Sequence, residues 1–126
     1  MNRFRIGISL LAVLLSLGLF VQSAARRNSA PISAALNSAA DNALSGRWSI
    51  ARHYSDLASS RWQSHWHATA ALADHQPMED IDGLLAQLPV YAAAEDAEQF
   101  AAACSDLARR MDAMADAHSL HWWNLL

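Results

Sequence analysis

The chain has 126 residues, 53% of them hydrophobic, with nine Arg, no Lys and twelve acidic residues, for a formal net charge of −3. That length bounds it to one small domain plus an export or membrane segment, and the lone Cys104 excludes an intrachain disulfide. The charge balance argues against nucleic acid, whose binding needs clustered positive charge to displace counterions.

Residues 6–21 (IGISLLAVLLSLGLFV) carry no charge and follow Arg3 and Arg5. Two readings of residues 1–27 compete. A signal peptide has a positive start, an apolar core and small residues at the cut, which Ser23-Ala24-Ala25 supply. A retained transmembrane anchor needs about 20 apolar residues to cross about 30 Å. The strict run reaches only about 24 Å at 1.5 Å per residue. A full span therefore depends on Gln22-Ser23-Ala24-Ala25, with Arg26 and Arg27 snorkelling at the far interface. We expect the anchor to be retained, with the body on the extracytoplasmic face of the cell membrane; cleavage would export the same body. Arg pairs at both ends leave only a weak positive-inside bias.

Residues 28–31 (Asn28-Ser29-Ala30-Pro31) read as a short polar linker, with Pro31 suited to the first turn of a helix. Residues 32–126 are then a helical domain. Ile32, Leu36, Ala39, Ala40 and Ala43 recur at helical spacing. Ser45-Gly46 is the best break, since Gly ends helices readily. The spacing predicts a short helix over 32–44 and a long one over 47–74, or one continuous helix with a weak point. In the long stretch, Trp48, Ala51, Ser55, Ala58, Trp62 and Trp66 share one stripe, and Ile50, Tyr54 and Leu57 a neighbouring one. Two apolar stripes imply more than one neighbour.

Pro77 opens the next helix, where Glu79, Asp80 and Asp82 suit the positive dipole end. Met78, Ile81, Leu85, Leu88 and Ala92 form its apolar face. Pro89 removes the hydrogen bond to the Leu85 carbonyl, so a kink or early end is expected. Ala94-Glu95-Asp96 reads as a turn with Asp96 as cap. The last helix carries Phe100, Cys104, Leu107, Met111, Met114 and His118 at heptad spacing and should end near Ala117. Ser55-Asp56-Leu57-Ala58 recurs as Ser105-Asp106-Leu107-Ala108, an offset of 50, which hints at two αα-hairpins. The expected fold is all-α: an N-terminal transmembrane helix, then a small antiparallel bundle of three to four helices.

Charge is segregated. Residues 26–73 hold five Arg against two Asp, whereas residues 74–126 hold ten acids against two Arg. The simple implication is mutually complementary helices.

Trp62, the stretch Asp74-His75-Gln76-Pro77-Met78-Glu79-Asp80-Ile81-Asp82, Leu85-Ala86-Gln87-Leu88, Tyr91, Asp96, Leu107, Ser119-Leu120 and Asn124-Leu125-Leu126 resemble the bacterial domain-of-unknown-function family 4363. Trp48, His75 and Asn124 match the family's early Trp, its His before an acidic stretch and its Asn-Ile-Leu-like end. Pro89 and Trp122-Trp123 depart from the pattern. The resemblance, over most of residues 48–126, implies a membrane-anchored helical body and no particular reaction.

No constellation points to catalysis. His75 and Glu79 are one helical turn apart and could share a ligand; the plainer reading has His75 orienting a hairpin. His65 and His67 straddle Trp66 and so point to different faces; His53, His118 and His121 are isolated or terminal. The acidic cluster lacks the glycine-containing loop spacing of calcium sites, and no Gly-rich phosphate loop appears. We expect no cofactor, no metal site and no enzyme. Candidate interaction or packing anchors are Trp48, Trp62, Trp66, His75, Trp122, Trp123 and Asn124, Trp being amphipathic and suited to interfaces. Trp122, Trp123, Leu125 and Leu126 could fold onto the bundle, dock into a partner or sit at the membrane interface. The expected function is a non-enzymatic interaction or scaffold module, binding the membrane through its N-terminal helix and a membrane-protein partner or a second copy. The alternative is a small ligand- or metal-binding sensor bundle using His and Trp.

Overall fold

The computed structural model describes the backbone of residues 2–69 and 76–120, with the side chains of 2–4, 21–22, 24–26, 28, 66–69 and 117–120 left out. Four helices make up this part: α1 (Asn2–Leu44), α2 (Trp48–Thr69), α3 (Gln76–Ala93) and α4 (Ala97–Leu120). The fold is all-α.

Two matching turns set the topology. At the end of α1, Gly46 adopts φ 75°, its N–H donates to the Ala43 carbonyl at 3.0 Å and the Arg47 N–H to the Asn42 carbonyl at 2.8 Å. At the end of α3, Glu95 adopts φ 51°, its N–H donates to Ala92 at 3.2 Å and the Asp96 N–H to Tyr91 at 3.0 Å. Both are Schellman caps, which satisfy the last carbonyls of a helix and reverse the chain. The expected break at Ser45-Gly46 and turn at Ala94–Asp96 are therefore in place. Asp96 also caps α4, accepting from the Gln99 N–H at 3.2 Å.

Each turn leads into an antiparallel partner. α1 packs on α2 and, most closely, on α4; α3 packs on α4; α2 and α3 meet only briefly. The Ser33 hydroxyl of α1 donates to Asp112 Oδ1 of α4 at 3.0 Å, which sets the register of that pair.

The core repeats. Ile32, Leu36, Ala39 and Ala43 of α1 are buried, and so are Ile81, Leu85, Leu88 and Ala92 of α3. In α2, Ala51, Ser55, Ala58 and Trp62 are buried, matched by Phe100, Cys104, Leu107 and Met111 of α4. Each residue lies 49 positions before its counterpart (Ile32 to Ile81, for instance). The fold is thus two αα-hairpins with one burial pattern. The offset of 50 suggested by the Ser-Asp-Leu-Ala match is one residue out: Ser55 is buried while Ser105 is exposed. Similar letters there do not occupy equivalent places.

Several expectations need correction. The linker at 28–31 is helical, because α1 runs unbroken through Pro31. Proline costs the helix one hydrogen bond, here to the Arg27 carbonyl, but Ile32 and Leu36 are buried directly after it and hold the helix on course. α3 likewise continues through Pro89 to Ala93. Pro89 is exposed, so the Leu85 carbonyl it leaves unpaired can meet water. The last helix runs to Leu120 rather than Ala117.

The N-terminal part of α1 makes no core. Its apolar side chains are outward and bare, from Ile6 at 64% exposure to Phe20 at 73%. Among the described residues no helix is long and apolar enough to cross a membrane.

The two turns differ in one respect that predicts opposite responses. Glu95 holds a left-handed conformation that costs a side-chain-bearing residue about 1 kcal/mol, whereas Gly46 holds it freely. In urea unfolding, Glu95→Gly should raise stability by roughly 0.5–1 kcal/mol and Gly46→Ala should lower it by about 1 kcal/mol.

Candidate functional site

The sequence places three tryptophans on α2, and two of them have described side chains, Trp48 against α4 and Trp62 against α3. Trp48 opens α2 and is half-buried. Its ring meets Phe100 edge-on, centroids 5.4 Å apart at 74°, the arrangement that aromatic quadrupoles favour. The Arg52 guanidinium lies 5.9 Å from the Trp48 centroid, within cation–π range. Arg52 Nη2 also donates to the Ala92 carbonyl at 2.9 Å, tying α2 to the end of α3. Glu95 lies 3.8 Å from the same guanidinium, with both side chains largely in water.

Trp62 sits farther along α2 and is 2% exposed. Its indole N–H donates to Asp82 Oδ1 of α3 at 2.8 Å. That bond satisfies the one polar atom of a buried indole and accounts for an acid on the otherwise solvent-facing side of α3. His65 lies one turn on, its ring 6.3 Å from Trp62. The seam between α2 and α3 is therefore closed by two polar ties rather than by a broad apolar contact.

Trp66 lies in α2, but its side chain, like His75, Trp122, Trp123 and Asn124, falls outside the described residues. The pairing of His75 with Glu79 has no structural description; Glu79 itself is exposed. Among the described residues no group of three or more His, Cys, Asp or Glu is placed to hold a metal ion. Among them, too, every buried side-chain nitrogen and oxygen has a hydrogen-bond partner.

Electrostatics follow burial and neighbours. Cys104 is fully buried on the inner face of α4, and burial pushes its thiol up to about 12. It is a neutral, unreactive core group at any ordinary pH. Asp106 is held below the usual carboxylate range, chiefly by the hydrogen bond from Arg110 at 3.0 Å and then by Arg109. Asp106 thus takes cations of its own helix, while Arg52–Glu95 crosses between the basic and acidic halves.

A shallow groove of about 450 Å³ lies between the start of α3 and the second half of α4. Pro77, Ile81, Ala113 and Met114 form its floor, and Asp80 and Arg110, 3.8 Å apart, its rim. Nothing in it pairs a nucleophile with a base. Asp82, Arg52 and the Ser33–Asp112 contact were not foreseen. Their partners are 20, 40 and 79 residues away, and single-sequence periodicity carries no signal at such separations.

A family model described as Domain of unknown function (DUF4363) matches residues 19–125, and the chain belongs to that family. The match reaches back into the apolar part of α1, beyond the residues that carried the resemblance. No curated protein and no solved structure matches the chain.

Two measurements check this packing. A double-mutant cycle of Trp62→Phe and Asp82→Ala should give a coupling of about 0.5–1.5 kcal/mol, the usual net value of such a bond. Cys104 should resist alkylation at pH 8 in the native protein and react rapidly once unfolded. The thiol's folded value lies above the unfolded one, so its contribution holds below about pH 9 and is lost as pH climbs toward about 12.

Proposed function

We propose that this member of the DUF4363 family is a non-enzymatic interaction module held at a membrane by the first third of α1. The supporting observation is the continuous sleeve of exposed apolar side chains, including Ile6, Leu10, Val13, Leu17, Leu19 and Phe20, each at 55% exposure or more. Soluble monomers rarely leave contiguous apolar patches above a few hundred Å² in water. A helix is the form in which such a segment can enter lipid, since every backbone group is paired within it. Ser9 and Ser16 donate their hydroxyls to the carbonyls four residues earlier, at 2.9 Å and 2.8 Å, which lowers the cost of placing them in hydrocarbon.

In this reading the segment is a single-pass anchor, and a short one. The run of 16 uncharged residues reaches about 24 Å, so local thinning and snorkelling of the flanking arginines make up the difference. The body, residues 28–126, carries all twelve acids and five of the nine arginines. The reading places Arg3 and Arg5 on the cytoplasmic side and the bundle on the extracytoplasmic face; the arginine pairs at both ends of the run contribute only a weak positive-inside bias to that orientation. Retention of the anchor is favoured because α1 is helical across Ser23–Ala25, and proteolysis prefers exposed, non-helical backbone. The bundle's role is to present its outer faces to a membrane-protein partner or a second copy; the exposed Ile50 and Val90 lie on those faces.

Fractionation of cells producing the full chain tests the reading. The intact polypeptide should stay with membranes through an alkaline carbonate wash. Leu11→Arg with Leu14→Arg should release it, since each arginine at a span's centre costs roughly 2.5–3.5 kcal/mol. A native chain recovered mostly in the soluble fraction overturns the anchor.

A further inference from the structure

We propose that a second copy of this chain docks on the outer face of α3, the two α3 helices packing antiparallel about a twofold axis. The inference rests on the interaction-module reading and names the partner and the face that receives it.

α3 is apolar on two opposite sides. Its inner stripe, Met78, Ile81, Leu85, Leu88 and Ala92, is buried in the bundle. From Gly83 to Ala94 the chain carries no charge, yet Gly83, Ala86, Gln87, Pro89, Val90 and Ala93 are all exposed. Val90 is 66% exposed. The outward positions of α4 differ: Glu98, Arg109, Arg110, Asp112 and Asp116 are among them. A helix with one face in water carries polar residues on that face, and a helix that is apolar all round is buried all round. Glu79, Gly83, Ala86, Val90 and Ala93 recur in alternating steps of four and three, the seam spacing of packed helices.

Shape and charge select the occupant. A twofold contact sets one patch against itself, so the patch must be self-complementary. Gly83 and Val90 lie equally far from the point midway between Ala86 and Gln87. In an antiparallel pair centred there, Val90 of each copy faces Gly83 of the other. Val90 is the one large apolar side chain of the stripe, and the space where Gly83 lacks a side chain is open. Knob and hole therefore match twice in one contact. The same register sets Glu79 of one copy beside Ala94 of the other, next to Arg52. Arg52 reaches the Ala92 carbonyl at 2.9 Å and Glu95 at 3.8 Å, and its side chain is 46% exposed. Glu79 lies one turn before Asp82, which accepts from Trp62 of α2, and so sits on the α2 side of the stripe. A twofold axis keeps the α2 sides of both copies together, so each Glu79 meets Arg52 of the other copy. Such ion pairs at the rim add little affinity and fix the register.

The test is sedimentation equilibrium of the full chain in density-matched detergent micelles. The native chain should dimerise. Val90→Glu buries an unpaired charge in the seam and should weaken the dimer at least about tenfold. Gly83→Leu fills the hole and should act in the same direction; within one copy its side chain has open space, so the bundle accommodates it. Unchanged circular dichroism checks the fold of both variants. Ile50→Glu, at an exposed apolar residue of α2 away from the stripe, should leave the dimer intact. A monomeric native chain overturns the proposal. So does a dimer that survives either α3 substitution, the result expected if the copies pair through α1, or one that Ile50→Glu weakens equally. The carbonate wash tests the anchor independently: both α3 variants should stay with membranes, and release of the native chain sinks the anchor without touching this pairing.

Discussion

The contact between the last third of α1 and α4 is the one on which the rest of this structure depends. Both helices offer small side chains to it: Ala35, Ala39, Ala40 and Ala43 on one, Ala101, Cys104 and Ala108 on the other, all buried. Small residues let two backbones approach closely, so dispersion contacts accumulate along the whole interface. Ser33 and Asp112 add a polar pin that sets the register. Because α1 is also the helix that leaves the bundle, this packing fixes the direction in which the exposed apolar sleeve projects. A flexible linker at 28–31 would have uncoupled the two; a continuous helix joins them through Pro31.

The repeat of two αα-hairpins explains how so short a chain builds a core. Each hairpin uses the same reversal, a left-handed residue followed by a cap, and buries residues at the same places. Neither apolar face can be covered within its own hairpin, so the pair must dock. The docking is uneven. α1 against α4 is tight and apolar, while α2 against α3 is slight and relies on Arg52 to Ala92 and Trp62 to Asp82. Polar ties of this kind add little net stability, but the second specifies one arrangement, because breaking it leaves the buried Trp62 indole N–H unpaired.

The functional reading follows from this asymmetry of purpose within one molecule. Among the described residues the bundle satisfies its own buried polar atoms, and burial holds Cys104 neutral. The unpartnered feature is the apolar sleeve of α1, and the demand it creates is for a non-aqueous surrounding. The proposed membrane anchor is the reading that answers it, since a helix can enter lipid with its backbone groups paired.

Much of the fold was legible in the sequence because local physics writes it there. Helical periodicity identified Met78, Ile81, Leu85, Leu88 and Ala92 as one buried face, and Phe100, Cys104, Leu107 and Met111 as another, as the structure has them. Gly46 and Asp96 marked the two turns through conformational freedom and capping, both properties of single residues. Proline misleads twice: Pro31 reads as a helix start and Pro89 as a kink or early end, whereas α1 and α3 run through both. Tertiary structure alone decided the rest. The true repeat offset, the partner of the Trp62 indole and the register of α1 on α4 depend on residues far apart in the chain. The sequence determined which faces are apolar and where the chain turns, since those depend on neighbours a few residues apart. Which face meets which, and how deep each helix end reaches, was settled by packing, because only close approach in space selects among faces that are equally apolar.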